Sequence, residues 1–262
     1  GTGEGIEETA SYLKEFLNER LGAKVNLLRY GGHPIVYGTL GEGEKKIILY
    51  NMYDVQPIEP LEEWVCNPFE AKIIEDKIIA RGAYNTKGAL MSLLLGIEVL
   101  KNFSKLPFKL VFIFEGEEEL GSPSMPKFVE DKKGELLNSE LVYFAFPSER
   151  IKNKANIILG NKGIVFIELK SKISEYDIHS SLSRGLINPA SVLSKIASHL
   201  IDPLEGPKIS WLEEKTVSPN EEDLLYLQDI IEANPLEEIL EMYKINKPRL
   251  KDKDWYISVY FK

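Results

Sequence analysis

Four carboxylates within five residues, Glu115, Glu117, Glu118 and Glu119, follow an apolar run at residues 110–114 and precede a Gly121-Ser122 turn. So short a run of Leu, Val, Phe and Ile reads as a buried strand. Open α/β sheets place their ligands at the carboxyl ends of the strands. An adjacent Glu-Glu pair at such an end can divide labour, one as general base and one as metal ligand. A solvated acidic loop is the alternative that this stretch alone leaves open.

The elements that must position these groups follow from periodicity. Ile6, Ala10, Leu13, Phe16, Leu17 and Leu21 recur at helical spacing, and Gly22 ends the helix. Strands are expected at residues 24–30, 34–40 and 46–50, the last nearly all apolar and so central. A long loop at 51–68, with Pro57, Pro60 and Pro68, leads to a hairpin at 69–80 that turns at Glu75-Asp76. A helix opens at Asn85 or Thr86, either of which suits the N-cap, and runs to about Phe103. It is apolar nearly all round, which predicts deep burial. A helix beyond Ser122 and a strand at 141–146 follow, and the alternation implies an α/β layer architecture. Residues 163–173 alternate through Val165, Ile167 and Leu169, as a strand with one wet face does. That change of character puts a domain boundary near Lys162. Helices are expected at 189–200 and near 221–232 and 235–243, and an aromatic strand at 255–261.

The 262 residues are enough for a sizeable core in one domain or two. A net charge of −9 with no Lys/Arg-rich cluster argues against nucleic acid and anionic membranes as partners. No apolar run reaches membrane-spanning length and no signal-peptide pattern is present, so no membrane partner is expected. The single cysteine, Cys66, rules out an internal disulfide and suits a reducing cytosol, giving a cytoplasmic expectation. Glutamine occurs only as Gln56 and Gln228 while Lys, Glu and Ile abound, a bias that fits a hot habitat. His33, in a turn, and His199, in a helix's last turn, read as surface or capping residues. Cys66 reads as a loop residue without chemistry.

In chain order stand residues 50–57 (Tyr-Asn-Met-Tyr-Asp-Val-Gln-Pro), 81–88 (Arg-Gly-Ala-Tyr-Asn-Thr-Lys-Gly), 115–122 (Glu-Gly-Glu-Glu-Glu-Leu-Gly-Ser), then Asp177-Ile178-His179-Ser180 with Asn188-Pro189. Together, with Trp64 and Pro68-Phe69 between the first two, they resemble the aminoacylase/carnosinase/glutamate carboxypeptidase/succinyl-diaminopimelate desuccinylase family of zinc hydrolases. The resemblance implies a two-zinc amidohydrolase: an α/β domain holding both metals, an inserted lid with an antiparallel sheet, and a Glu base acting on zinc-bound water. It matches Glu118 to the general base and Glu119 to a zinc ligand. His179 falls at the lid position that holds the substrate's carbonyl or carboxylate, often across a dimer interface. Asp54 falls on the residue that orients a zinc-binding His.

The carry-over departs from the pattern at the metal. Met52 stands where the first zinc-binding His is expected, and a thioether is poorly suited to hydrolytic zinc. Asn85 stands where a bridging Asp is expected, and reads instead as a helix N-cap. The strand ending Phe144-Ala145-Phe146-Pro147 offers no acid, Glu149 being the nearest, and the last ligand, a His near the family's C-terminus, has no counterpart. A catalytic zinc takes about three protein ligands; of the five expected positions only Glu119 is kept, so zinc is expected to be weakly held or absent.

The expected fold is therefore α/β: a three-layer α/β/α catalytic-type domain with a mixed sheet at residues 1–162, incomplete, and a partial α+β lid at 163–262. The expected function is that of a truncated relative of di-zinc dipeptidases, carboxypeptidases and N-acyl amino acid deacylases that does not catalyse by its own residues. Two other readings stand beside it. One is an interaction or regulatory subunit that completes its fold as a homo-oligomer or with a complementing chain. The other is an amide-bond hydrolase of small peptides or N-acyl amino acids, whose Asp54, Glu117, Glu118 and Glu119 hold a metal with ligands lent by a partner.

Overall fold

Strand β6 (Lys109–Glu115) shows why the sheet forms where it does: residues 110–115 are all buried, which requires neighbours on both edges and cover on both faces. The computed structural model describes residues 3–147, 157–158 and 160–261. The chain divides into two units, Gly1–Pro147 and Ser148–Lys262, so the division falls ahead of Lys162.

In the first unit, helix α1 (Ile6–Glu15) continues as a π-helical turn (Phe16–Arg20) into β1 (Lys24–Leu28), β2 (Ile35–Leu40) and β3 (Lys46–Met52). A hairpin of β4 (Lys72–Ile74) and β5 (Lys77–Ile79) turns through Glu75 and Asp76, both at positive φ. Then come α2 (Lys87–Phe103), β6, α3 (Met125–Leu136) and β7 (Leu141–Phe144). The sheet order is β1-β2-β6-β3-β7, with β3 parallel to β6 and β7 and the β2 pairings antiparallel.

Alternation along the strands sorts the two faces. Val36, Leu49, Leu110, Phe112 and Phe114 pack with Leu13, Leu17, Leu90 and Leu94 of α1, its π turn and α2. Ile35, Tyr37, Ile48, Val111 and Ile113 pack with Phe128 of α3. These are the three α/β/α layers and the mixed sheet that the sequence predicts. Burial of α2 differs from expectation: Leu90, Leu94 and Ile97 are buried, but Leu95, Val99, Leu100 and Phe103 are exposed. One stripe meets the sheet, and no described residue covers the opposite one.

The second unit holds α4 (Pro189–Leu200), β8 (Ile201–Asp202), β9 (Gly206–Pro207), α5 (Ser210–Lys215), α6 (Glu221–Ala233), α7 (Leu236–Met242) and α8 (Asp252–Tyr260). Asn188 caps α4, its side chain accepting from the Ala190 N–H, and Asn220 and Asp223 form a reciprocal capping box on α6. Two expectations fail here. Residues 163–173 form no strand, because no described strand pairs with them. Residues 255–261 lie largely in α8, where Tyr256 and Tyr260 stack at helical spacing, Trp255 meets both edge-on, and the Tyr256 hydroxyl donates to Asn234 O at 2.8 Å. The lid-type sheet is represented among the described residues by the two-residue β8–β9 ladder alone. No helix among them is long and apolar enough to cross a membrane.

Candidate active site at the ends of two parallel strands

The parallel register of β3 and β6 sets Met52 opposite Glu115, so both chains leave the sheet at the same level. The Tyr53 N–H donates to Glu115 O at 2.8 Å and carries the ladder one residue further. Tyr53 is fully buried, its hydroxyl donating to Pro34 O. A Cβ at position 116 would lie 2.7 to 2.8 Å from the Tyr53 ring, so only glycine fits there and the acidic loop must begin with it.

Each acid then has its own partners. Glu115 is buried and accepts from the Tyr50 hydroxyl at 2.5 Å and the Ser122 hydroxyl at 2.9 Å. Burial pushes its pKa above the ordinary carboxylate range; the two hydroxyl donors oppose that rise, and the charges of Asp54 and Glu117 add to it. Glu117, also buried, accepts from the His33 backbone N–H at 3.1 Å. A Cβ on Gly32 would collide with that carboxylate at 1.7 Å. Glu118 lies in a 3-10 turn (Glu118–Leu120), half-buried, its pKa raised by burial and then by Glu119, Asp54 and Glu115. Asp54 does not wait for an imidazole: its Oδ2 accepts from the Glu119 backbone N–H at 2.9 Å and fixes the acidic loop.

Glu119 faces two carboxamides. Gln56 Nε2 donates to its Oε2 at 2.5 Å, and Asn85 Nδ2 approaches its Oε1 at 3.4 Å. The Asn85–Thr86 peptide bond is cis. Thr86, not Asn85, occupies the N-cap position of α2, and neither caps it through its side chain: the Thr86 hydroxyl donates to Met52 O at 3.1 Å. Met52 is buried. The ammonium of Lys87 is held below its usual pKa by burial, with Asp54 opposing the shift.

The structure thus brings Met52, Asp54, Asn85, Glu118 and Glu119 into one neighbourhood of the first unit. His179 belongs to the second unit, where it is exposed and caps the 3-10 turn Ser180–Gly185, its Nδ1 accepting from the Ser181 N–H at 3.2 Å. Glu149 lies outside the described residues. His199 bonds to Lys195 O at 2.8 Å in the last turn of α4. Cys66 lines an apolar hollow of about 490 Å³ with Ile58, Leu61, Trp64 and Phe69, which none of the expected site residues joins. Sequence reasoning missed the parts played by Gln56 and the His33 backbone; for Gln56 the signal was its rarity, one of two glutamines in the chain.

Tested against zinc, this donor set does not fit. Position 52 offers a thioether and position 85 a carboxamide whose N–H side faces Glu119. Both oxygens of Glu119, a partly buried residue, lie within reach of amide nitrogens. Among the described residues no three His, Cys, Asp or Glu side chains come together as a metal site.

A three-layer α/β domain with carboxylates at parallel strand ends has its candidate site where open α/β sheets place their ligands. The profile of Peptidase family M20/M25/M40 matches residues 48–229, and the chain belongs to that family. Family membership implies a metal cofactor, typically zinc, for the family's chemistry. The chain is 32% identical to the M20 family metallo-carboxypeptidase Sso-CP2 from Sulfolobus solfataricus, with a TM-score of 0.86 over 98% of this chain and 59% of that one. It is 26% identical over 200 residues to the Beta-Ala-His dipeptidase of Rattus norvegicus, covering 70% of this chain and 40% of the relative. A Cys-Gly metallodipeptidase, dug1 of Schizosaccharomyces pombe, is likewise 26% identical over 200 residues, 70% of this chain and 42% of its own. The chain therefore spans less than half the length of these two curated relatives.

Proposed function

We propose that this chain is a non-catalytic member of the M20 family, keeping the scaffold and the acidic loop without the metal-dependent hydrolysis of peptides or N-acyl amino acids. The observation that carries the reading is the environment of Glu119, the one expected zinc ligand kept, whose two oxygens face the amides of Gln56 and Asn85. Glu118 keeps the base position but has no metal-bound water to act on in this reading. The β-Ala-His and Cys-Gly dipeptides that the relatives' names give are the compounds to test. Incubated with either dipeptide and added zinc, the purified chain leaves it intact. Zinc-dependent cleavage that Glu118→Gln abolishes would overturn the reading. A cytosolic location and a hot-habitat origin are proposed with it, on the single cysteine and the Lys/Glu-rich, Gln-poor composition.

A second reading, a subunit that packs against another polypeptide, is favoured by exposed apolar surface in the first unit. Among the described residues nothing covers the outer stripe of α2, and β7 is an edge strand with Leu141, Val142 and Tyr143 all about half exposed or more. Light scattering tests it: a stable monomer at all concentrations would remove it, and a defined oligomer would support it.

A further inference from the structure

We infer that Gln56 and Asn85 act as a neutral clamp, their carboxamide N–H groups taking, against Glu119, the place of a cation. The inference rests on the metal-free reading above and goes beyond it by assigning two residues a positioning role. An ionised carboxylate only accepts hydrogen bonds, so both amides must present their nitrogens to it. They do: Gln56 Nε2 lies 2.5 Å from Oε2 and Asn85 Nδ2 3.4 Å from Oε1.

The clamp joins three loops. Gln56 comes from the segment after β3, Asn85 from the segment before α2 and Glu119 from the segment after β6. Asp54, two residues before Gln56, closes the arrangement by accepting the Glu119 N–H. An acidic loop beside buried Asp54, Glu115 and Glu117 needs something to hold it against mutual repulsion. A cation would do so by charge. Here directional donors meet the Glu119 carboxylate without one, while Asp54 Oδ1 and Glu117 Oε2 stay buried with no hydrogen-bond partner among the described residues. The buried Asn85 Oδ1, which has no hydrogen-bond partner among the described residues, fits this orientation: the amide presents its donor to Glu119.

Turning either amide into a carboxylate tests the clamp. Asn85→Asp and Gln56→Glu each set a second negative charge against Glu119, keeping the side chain's size. Gln56 is exposed, so Gln56→Glu folds even if Asn85→Asp does not. At neutral pH without divalent cations Asn85→Asp melts several degrees below the unaltered chain, and Gln56→Glu, at an exposed position, by a smaller margin. Zinc or manganese chloride raises their melting temperatures, while the unaltered chain does not respond. Lower melting with no cation response would mark disturbed packing and overturn the clamp. Variants with unchanged melting and no response would overturn the clamp while leaving the metal-free reading in place. An unaltered chain itself stabilised by zinc would overturn both.

Discussion

Two apolar runs both read as strands in the sequence, one continuous and one alternating, and end differently in the structure. Residues 110–114 and 163–169 both carry closely spaced Val, Ile, Leu and Phe. The first is the centre of the sheet, with β2 on one edge and β3 on the other, and Phe112 and Phe114 are fully buried. The second has no described strand beside it, and Phe166 is 90% exposed. β-propensity describes side chains that suit a pleated, half-buried surface; the strand itself is made by ladder partners. The difference reaches the chemistry. Residues placed by the β3–β6 register are tied together at the strand ends, whereas His179 is placed by a local cap within its own turn.

The sharpest way to break this comparison is to truncate the same residue type in both runs. Phe114→Ala should cost about 3–5 kcal/mol in urea unfolding, the usual cost of emptying a packed aromatic site. Phe166→Ala should change stability by less than about 0.5 kcal/mol, as exposed positions do. Equal costs would show that the second run is packed in solution. Next in size is Asp54→Ala, which removes the acceptor of the Glu119 N–H. Hydrogen exchange at that amide should quicken by roughly tenfold or more, in line with about 1.5–3 kcal/mol for a charge-assisted hydrogen bond.

A smaller effect is expected from pH. Glu115 and Glu118 both have raised pKa values, with burial the leading cause, so the folded chain holds their protons more tightly than the unfolded chain does. Their contribution to stability is fully present below the ordinary carboxylate pKa and is lost as pH rises through the raised values. The urea midpoint should fall between mildly acidic and neutral pH, and Glu118→Gln should flatten that fall; a midpoint that rises over the window contradicts the assignment. Smallest of all, His179→Ala should move the thermal midpoint by no more than about 0.5 kcal/mol equivalent, because the side chain is exposed and its bonds are local.

Much of the first unit was legible because its signals are local or periodic: the α1 repeat, the apolar β3 and β6, and the Glu75-Asp76 turn. The placement of Glu118 and Glu119 at a strand end was legible for the same reason. What failed depended on partners that no window of sequence contains. The aromatic residues at 255–261 suit a strand as well as a helix, and in the helix Tyr256 stacks on Tyr260 and bonds to Asn234. Asn85 and Thr86 both look like caps, yet tertiary contacts with Glu119 and Met52 take both side chains away from that task. Gln56 was passed over because its meaning lies 63 residues away, at Glu119. The mismatch at Met52, by contrast, was visible at once, since a side chain's donor chemistry needs no fold to be read.

The central claim is that Glu119 is held by amides and takes no metal. Elemental analysis of the purified chain after equilibrium dialysis against micromolar zinc tests it most directly. The account predicts less than about 0.1 zinc per chain, since one carboxylate cannot replace the three protein ligands a catalytic zinc requires. One or more zinc ions per chain, lost on Glu119→Gln, would contradict it.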